Sequence, residues 1–187
     1  KSIGAPEDKM DSIQFDLIVA YNKRNEWDKS LALYDQLIAS KKTIPDYALQ
    51  AVSSSYSAKH QYVKAGEILQ TLFKKNPDDL DVQLALYFNY VDQDQFSQAK
   101  SMLENLTAQL KVHPKYLSHR DFDYTSAMIE AVSFESYQEK YHAADKKLIP
   151  LLSEIPSNAD LLKTAGSVRE AQGMSEAAAD FYSIALK

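Results

Sequence analysis

The chain has 187 residues, 45% of them apolar and 25% charged, with a net charge of −5, four glycines and no cysteine. That length suits one compact domain or a short solenoid, and so little glycine disfavours an all-β or loop-rich fold. The missing cysteines exclude disulfides, thiol catalysis and cysteine metal sites; the acidic balance without a basic run lacks the footprint of a nucleic-acid binder; and no stretch approaches the roughly 20 apolar residues of a membrane-spanning helix.

A period appears once the aromatic residues are aligned. Trp27, Tyr62, Phe96 and Tyr141 recur after 35, 34 and 45 residues, and Ser175 follows 34 later. This is the spacing of tetratricopeptide hairpins, about 34 residues each, with an aromatic at position 17. The first unit, about residues 11–44, supplies Leu17, Tyr21, Trp27, Ser30, Tyr34, Leu37 and Ile38 at the packing positions. Ile44-Pro45-Asp46 adds the one residue that stretches its spacing to 35. The second unit, 46–79, supplies Leu49, Val52, Ser53, Tyr56, Tyr62, Ala65, Leu69, Leu72, Phe73 and Pro77, and Asn76-Pro77-Asp78-Asp79 ends it and caps the next.

The third unit, 80–111, gives Leu86, Tyr90, Phe96, Ala99, Leu103 and Leu106. The 45-residue spacing that follows carries 11 residues beyond the period, placed as a loop at about 112–124. Such an insertion is either a tolerated longer connection or a loop on a binding face. The fourth unit, 125–158, gives Val132, Tyr141, Ala144, Leu148, Leu151, Leu152 and Pro156. Its Pro150 falls inside a helix, where a kink or a restart is expected. After Ile155-Pro156-Ser157-Asn158, the fifth unit, 159–187, gives Leu162, Ala165, Gly166, Gly173, Ala178, Tyr182, Ala185 and Leu186. The expected fold is therefore all-α: a tetratricopeptide-repeat, right-handed α-solenoid of about five helical hairpins in one domain. The chain begins at Lys1 and stops inside an apolar pattern, so it reads as an excised piece with apolar surface at its last repeat.

No catalytic constellation stands out, and no enzyme activity or cofactor is expected. His60 and His142 fall at helix ends, where a histidine is favourable or simply solvated. His113 and His119 share the insertion with Asp121 and Asp123, but no paired-histidine spacing on a helix supports a metal site. No glycine-rich phosphate loop or nucleophile elbow is present. Carboxylate pairs such as Asp78-Asp79 read as helix caps.

Binding is the better reading, because the first helices of such hairpins line a concave face. The face positions in the five units hold Phe15, Val19, Asn22 and Lys23; Tyr47, Gln50, Ser54 and Ser57; Leu84, Phe88, Val91 and Asp92; Ile129, Ser133, Ser136 and Tyr137; and Asp160, Lys163, Ser167 and Glu170. The basic clamp used by repeats that hold acidic chaperone tails is missing. Tyr47, Gln50, Phe88, Asp92, Ser133 and Tyr137 are the candidate contacts, since aromatic faces beside short polar groups suit a sugar or an extended polar chain. The alternative for each aromatic is packing against the next repeat.

Several stretches resemble a known family. Asn25-Glu26-Trp27-Asp28-Lys29, Tyr34-Asp35-Gln36-Leu37, Ile44-Pro45-Asp46-Tyr47, Ala51-Val52-Ser53-Ser54-Ser55-Tyr56, Tyr62-Val63-Lys64-Ala65 and Val168-Arg169-Glu170-Ala171-Gln172-Gly173 are similar to the periplasmic repeats of the PgaA family. Members of that family are outer-membrane exporters of poly-β-1,6-N-acetylglucosamine. The insertion before the fourth unit is similar in placement. The resemblance implies a Gram-negative envelope protein whose repeats sit in the periplasm below an outer-membrane β-barrel. It implies docking of a polysaccharide deacetylase and guidance of the partly deacetylated, cationic polymer. The other readings are a generic peptide-binding adaptor and the non-catalytic arm of a sugar-acting enzyme.

Overall fold

A computed structural model describes residues 7–112 and 122–187. The described residues form ten α-helices and no strand: α1 Glu7–Lys23, α2 Trp27–Ala39, α3 Asp46–Ala58, α4 Tyr62–Lys75, α5 Leu80–Asp92, α6 Phe96–Val112, α7 Tyr124–Tyr137, α8 Tyr141–Glu154, α9 Ala159–Ala171 and α10 Ser175–Ala185. The described residues are all helical and run as successive tetratricopeptide-type hairpins. Each position-17 residue (Trp27, Tyr62, Phe96, Tyr141 and Ser175) is the first residue of a second helix.

The hairpin turns repeat one backbone design. Two residues before each second helix stands a left-handed residue: Asn25, His60, Asp94, Glu139 and Gly173, with φ of 60°, 57°, 55°, 58° and 77°. The following N–H reaches back to a carbonyl five residues earlier: Glu26 to Tyr21, Gln61 to Tyr56, Gln95 to Tyr90, Lys140 to Glu135 and Met174 to Arg169, at 2.8–2.9 Å. This is the closing bond of a Schellman cap, which satisfies carbonyls left orphaned at a helix end. The opposite ends of three first helices are capped by side chains. Asp79 accepts from the Val82 N–H, Asp123 from Ser126 and Asn158 from Leu161.

Contacts divide the chain into two compact units, Lys1–Met102 and Leu103–Lys187. In the first, α1 packs on α2 and α3, α2 and α4 on α3, and α4 on α5. Its core joins Ile18, Leu31, Leu37, Ile44, Ala48, Ala51, Val52, Tyr56 and Ala65, and a neighbouring cluster joins Leu69, Leu72, Val82 and Leu86. In the second, α7 packs on α8 and α9, α8 on α9 and α9 on α10, around Val132, Ala144, Leu148, Leu151, Leu161, Ala165 and Val168. Small residues set the approach of paired helices: Ser30, Ala65, Ala99, Ala144 and Ala178, all at position 20, are all buried.

Of the kink or restart expected at Pro150, the restart does not occur. α8 runs unbroken from Tyr141 to Glu154 with the proline inside it, so there is no helix restart. Pro150 lies on an exposed part of the helix, while Leu148 and Leu151 on either side are buried in the same core. That burial holds both halves in place, and the carbonyl the ring leaves unbonded belongs to the exposed Lys146, where water can satisfy it. His113, His119 and Asp121 lie outside the described residues. Among the described residues no helix is long and apolar enough to cross a membrane, and no group of histidine and acidic residues could hold a metal.

Candidate docking face

In the first unit, the first-helix face is partly consumed by folding. Phe15 and Val19 lean on the core and Leu84 is 3% exposed, so these three apolar face positions serve packing rather than a ligand. Leu84 is thus a core residue, contrary to the expectation from register. Asn22 is also committed: its amide donates to the Ser55 hydroxyl at 3.0 Å. The Ser55 hydroxyl lies 3.1 Å from the Ser30 hydroxyl and 3.0 Å from the Ala51 carbonyl, either of which can accept its one proton, and Ser30 donates to the Ile18 carbonyl at 3.3 Å. This relay ties α1, α2 and α3 through groups that would be costly to bury unpaired.

What remains on the surface is an aromatic–carboxylate couple between α1 and α3. The Tyr47 ring is 46% exposed, and its hydroxyl donates to Asp16 Oδ1 at 2.9 Å. Partial burial first, and then the Asp16 carboxylate, pushes the Tyr47 phenol above its ordinary value. Gln50 is half-buried one turn along α3 with its carbonyl accepting from Ser53, and Ser54 is exposed. On α5, Phe88 is half-buried and tilted against the buried Tyr87 at 4.9 Å between ring centroids. Asp92 is exposed at the end of that helix. Burial by its neighbours holds its carboxyl above the ordinary value, an effect that nearby His60 only partly offsets.

Asp16 was not singled out from the sequence. It occupies position 6, which faces position 2 of the next hairpin, and that neighbour relation was the signal for it.

In the second unit, Tyr137 is 62% exposed near the end of α7. Ser133, one helical turn earlier, bonds back to the Ile129 carbonyl at 3.4 Å, and Ile129 packs on the core. Glu170 accepts from the Tyr182 hydroxyl at 2.9 Å, and Asp160 pairs with Lys163 at 3.2 Å. The structure therefore leaves Tyr47, Gln50, Phe88 and Asp92 at least partly accessible in one unit and Ser133 and Tyr137 in the other.

The tetratricopeptide repeat family is matched over residues 56–118. No curated protein matches the chain. Among solved structures, a putative kinesin light chain from Podosopora anserina with nearly identical TPR-like repeats aligns at 18% identity over 93% of this chain and 92% of its own, with a TM-score of 0.70. MamA of AMB-1 aligns at 14% identity over 96% of this chain and 91% of its own, TM-score 0.65. MamA of MSR-1 aligns at 14% identity over 92% of each chain, TM-score 0.62. These likenesses carry the fold alone: the chain has the helical-hairpin architecture of tetratricopeptide repeats.

Proposed function

We propose that the chain is a non-catalytic scaffold that docks a protein partner along the first-helix face of its hairpins. The observation that carries this reading is the Tyr47–Asp16 couple. A large ring stays 46% exposed and oriented by a neighbouring helix, although the core beneath it is already filled by Ala48, Ala51 and Val52. An exposed, pre-oriented aromatic loses little freedom when a partner covers it.

The finer reading places the scaffold in the periplasm as part of an outer-membrane protein for exopolysaccharide export. There it would dock a polysaccharide deacetylase and contact partly deacetylated poly-N-acetylglucosamine. Its support is the resemblance of the quoted stretches, together with an aromatic and acidic surface that suits a cationic polymer.

Calorimetry with the purified domain separates the two levels. Partly deacetylated oligomers that bind in low salt, and lose affinity in Tyr47→Ala, support the export reading. If neither the oligomers nor the deacetylase binds, that reading falls and the general scaffold is left. A scaffold that binds its partner unchanged in Tyr47→Ala and Asp16→Ala uses some other surface.

A further inference from the structure

We infer that the first-helix face of α1, α3 and α5 recognises an extended polypeptide segment bearing lysine or arginine, with the Asp16–Tyr47 couple as the principal cation seat. This rests on the reading of that face as the docking surface, and it names the partner's chemistry.

Charge is the first argument. On or beside the face positions of the three hairpins stand the carboxylates of Asp16 and Asp92 and the ammonium of Lys23. Among the described residues, neither Asp16 nor Asp92 has a salt-bridge partner. Other carboxylates of the same unit are paired: Asp28 with Lys59 at 3.0 Å, Asp46 with Lys75 at 2.7 Å and Asp11 with Lys42 at 2.9 Å. Lys59, Lys75 and Lys42 are thus committed to other acids, while Asp16 and Asp92 carry no such pair among the described residues.

The second argument is ring chemistry. A cation is attracted to a tyrosine face within about 6 Å of its centroid, and a carboxylate beside the ring adds its own Coulomb attraction. The chain already uses this contact internally, with Lys29 over Tyr21 at 5.6 Å and Lys64 over Tyr56 at 5.3 Å. Tyr47 offers the same ring without an ammonium above it among the described residues. Its phenol hydrogen bond leaves Asp16 lone pairs for a second donor. Further along α3 from Tyr47, the Gln50 amide and the exposed Ser54 hydroxyl can meet peptide N–H and C=O groups, which favours a polypeptide over a bare cation.

The test uses the isotope-labelled full chain and three short peptides that differ only in charge: alternating Arg-Ser, Glu-Ser and Gln-Ser. The Arg-Ser peptide is expected to shift amides of α1, α3 and α5 and to weaken as salt rises. Asp16→Asn keeps an acceptor for the Tyr47 hydroxyl but removes the charge, and should weaken binding about two- to fivefold, as should Tyr47→Ala. Asp180→Asn, the same charge change on exposed α10 of the other unit, should leave binding unchanged.

Equal binding of the Gln-Ser or Glu-Ser peptide at this face overturns the cation seat while keeping the docking face. Shifts confined to other helices overturn the docking face itself. Failure of the Arg-Ser peptide to bind at all overturns the inference. Glucosamine oligomers that bind more tightly than the peptide at equal amine concentration overturn the choice of a polypeptide.

Discussion

Gly66→Ala sets two effects of opposite sign against each other in a single methyl group. Gly66 is buried in the interior of α4, where alanine would contribute up to about 1 kcal/mol of helix propensity. The same methyl would stand 2.6 Å from Asn89 Oδ1 on α5 and 3.5 Å from the Gln93 amide nitrogen. Asn89 is 2% exposed and cannot swing into water. Its amide donates to the Tyr62 carbonyl at 2.8 Å, and its oxygen accepts from Gln93 at 2.8 Å. Moving Asn89 aside breaks both bonds, and each buried group left unpaired costs about 1–3 kcal/mol. The loss exceeds the gain by about 2 kcal/mol, which for a chain of this size lowers the melting temperature by about 4–8 °C. Thermal unfolding followed by circular dichroism reads this directly. With Asn89→Ala already in place, the collision is gone and Gly66→Ala should raise the midpoint relative to that single variant. Should Gly66→Ala melt at or above the parent temperature with Asn89 intact, the close α4–α5 contact does not control this junction.

Gly173→Ala probes backbone alone, because nothing lies within 4 Å of the added methyl while φ stays at +77°; it should cost about 1 kcal/mol in denaturant unfolding, with Gly173→Asn costing less. Glu135 is 4% exposed and accepts from Lys147 at 3.2 Å. Lys147→Met should therefore destabilise by about 2 kcal/mol, below the full cost of breaking a buried pair because the lysine is a third exposed, and Glu135→Leu in the same chain should restore most of it. A neutral Lys147→Met would mean that the pair does not hold α7 to α8. Burial, and then the Asp35 charge, hold the phenols of Tyr34 and Tyr56 above their ordinary value of 10.0. A folded value above the unfolded one gives stability that is whole below pH 10 and is lost as pH climbs through the folded values. Urea midpoints should accordingly fall in strongly alkaline buffer, and less so in Tyr34→Phe.

The hairpin register was legible because a large ring at the first residue of a second helix leaves a mark at a fixed interval. Trp27, Tyr62, Phe96 and Tyr141 therefore located four second helices, and spacing alone reached Ser175. The turns were not legible in the same way. Their left-handed residues are Asn25, His60, Asp94 and Glu139, and only the last turn uses the glycine that advertises such a conformation. No restart follows at Pro150, because buried Leu148 and Leu151 hold together a helix that local propensity alone would end. The candidate face was half readable. Register put Tyr47 and Tyr137 at face positions but left open whether they are exposed or packed, and Leu84 and Asn22 were drawn inward by neighbours that the register of one helix does not include.

The five turns also divide the chain into parts that can and cannot change length. From each left-handed residue to its second helix the distance is always two residues, whereas the links between hairpins do not keep one length: Ala39 to Asp46 is two residues longer than Lys75 to Leu80 or Glu154 to Ala159. A residue added within a turn would rotate the second helix by about 100° and carry its small position-20 residue off the seam. One added in a link changes only a connection. Length variation among related chains should therefore collect between hairpins, and a hairpin cut at its links is the natural piece to transplant, duplicate or delete.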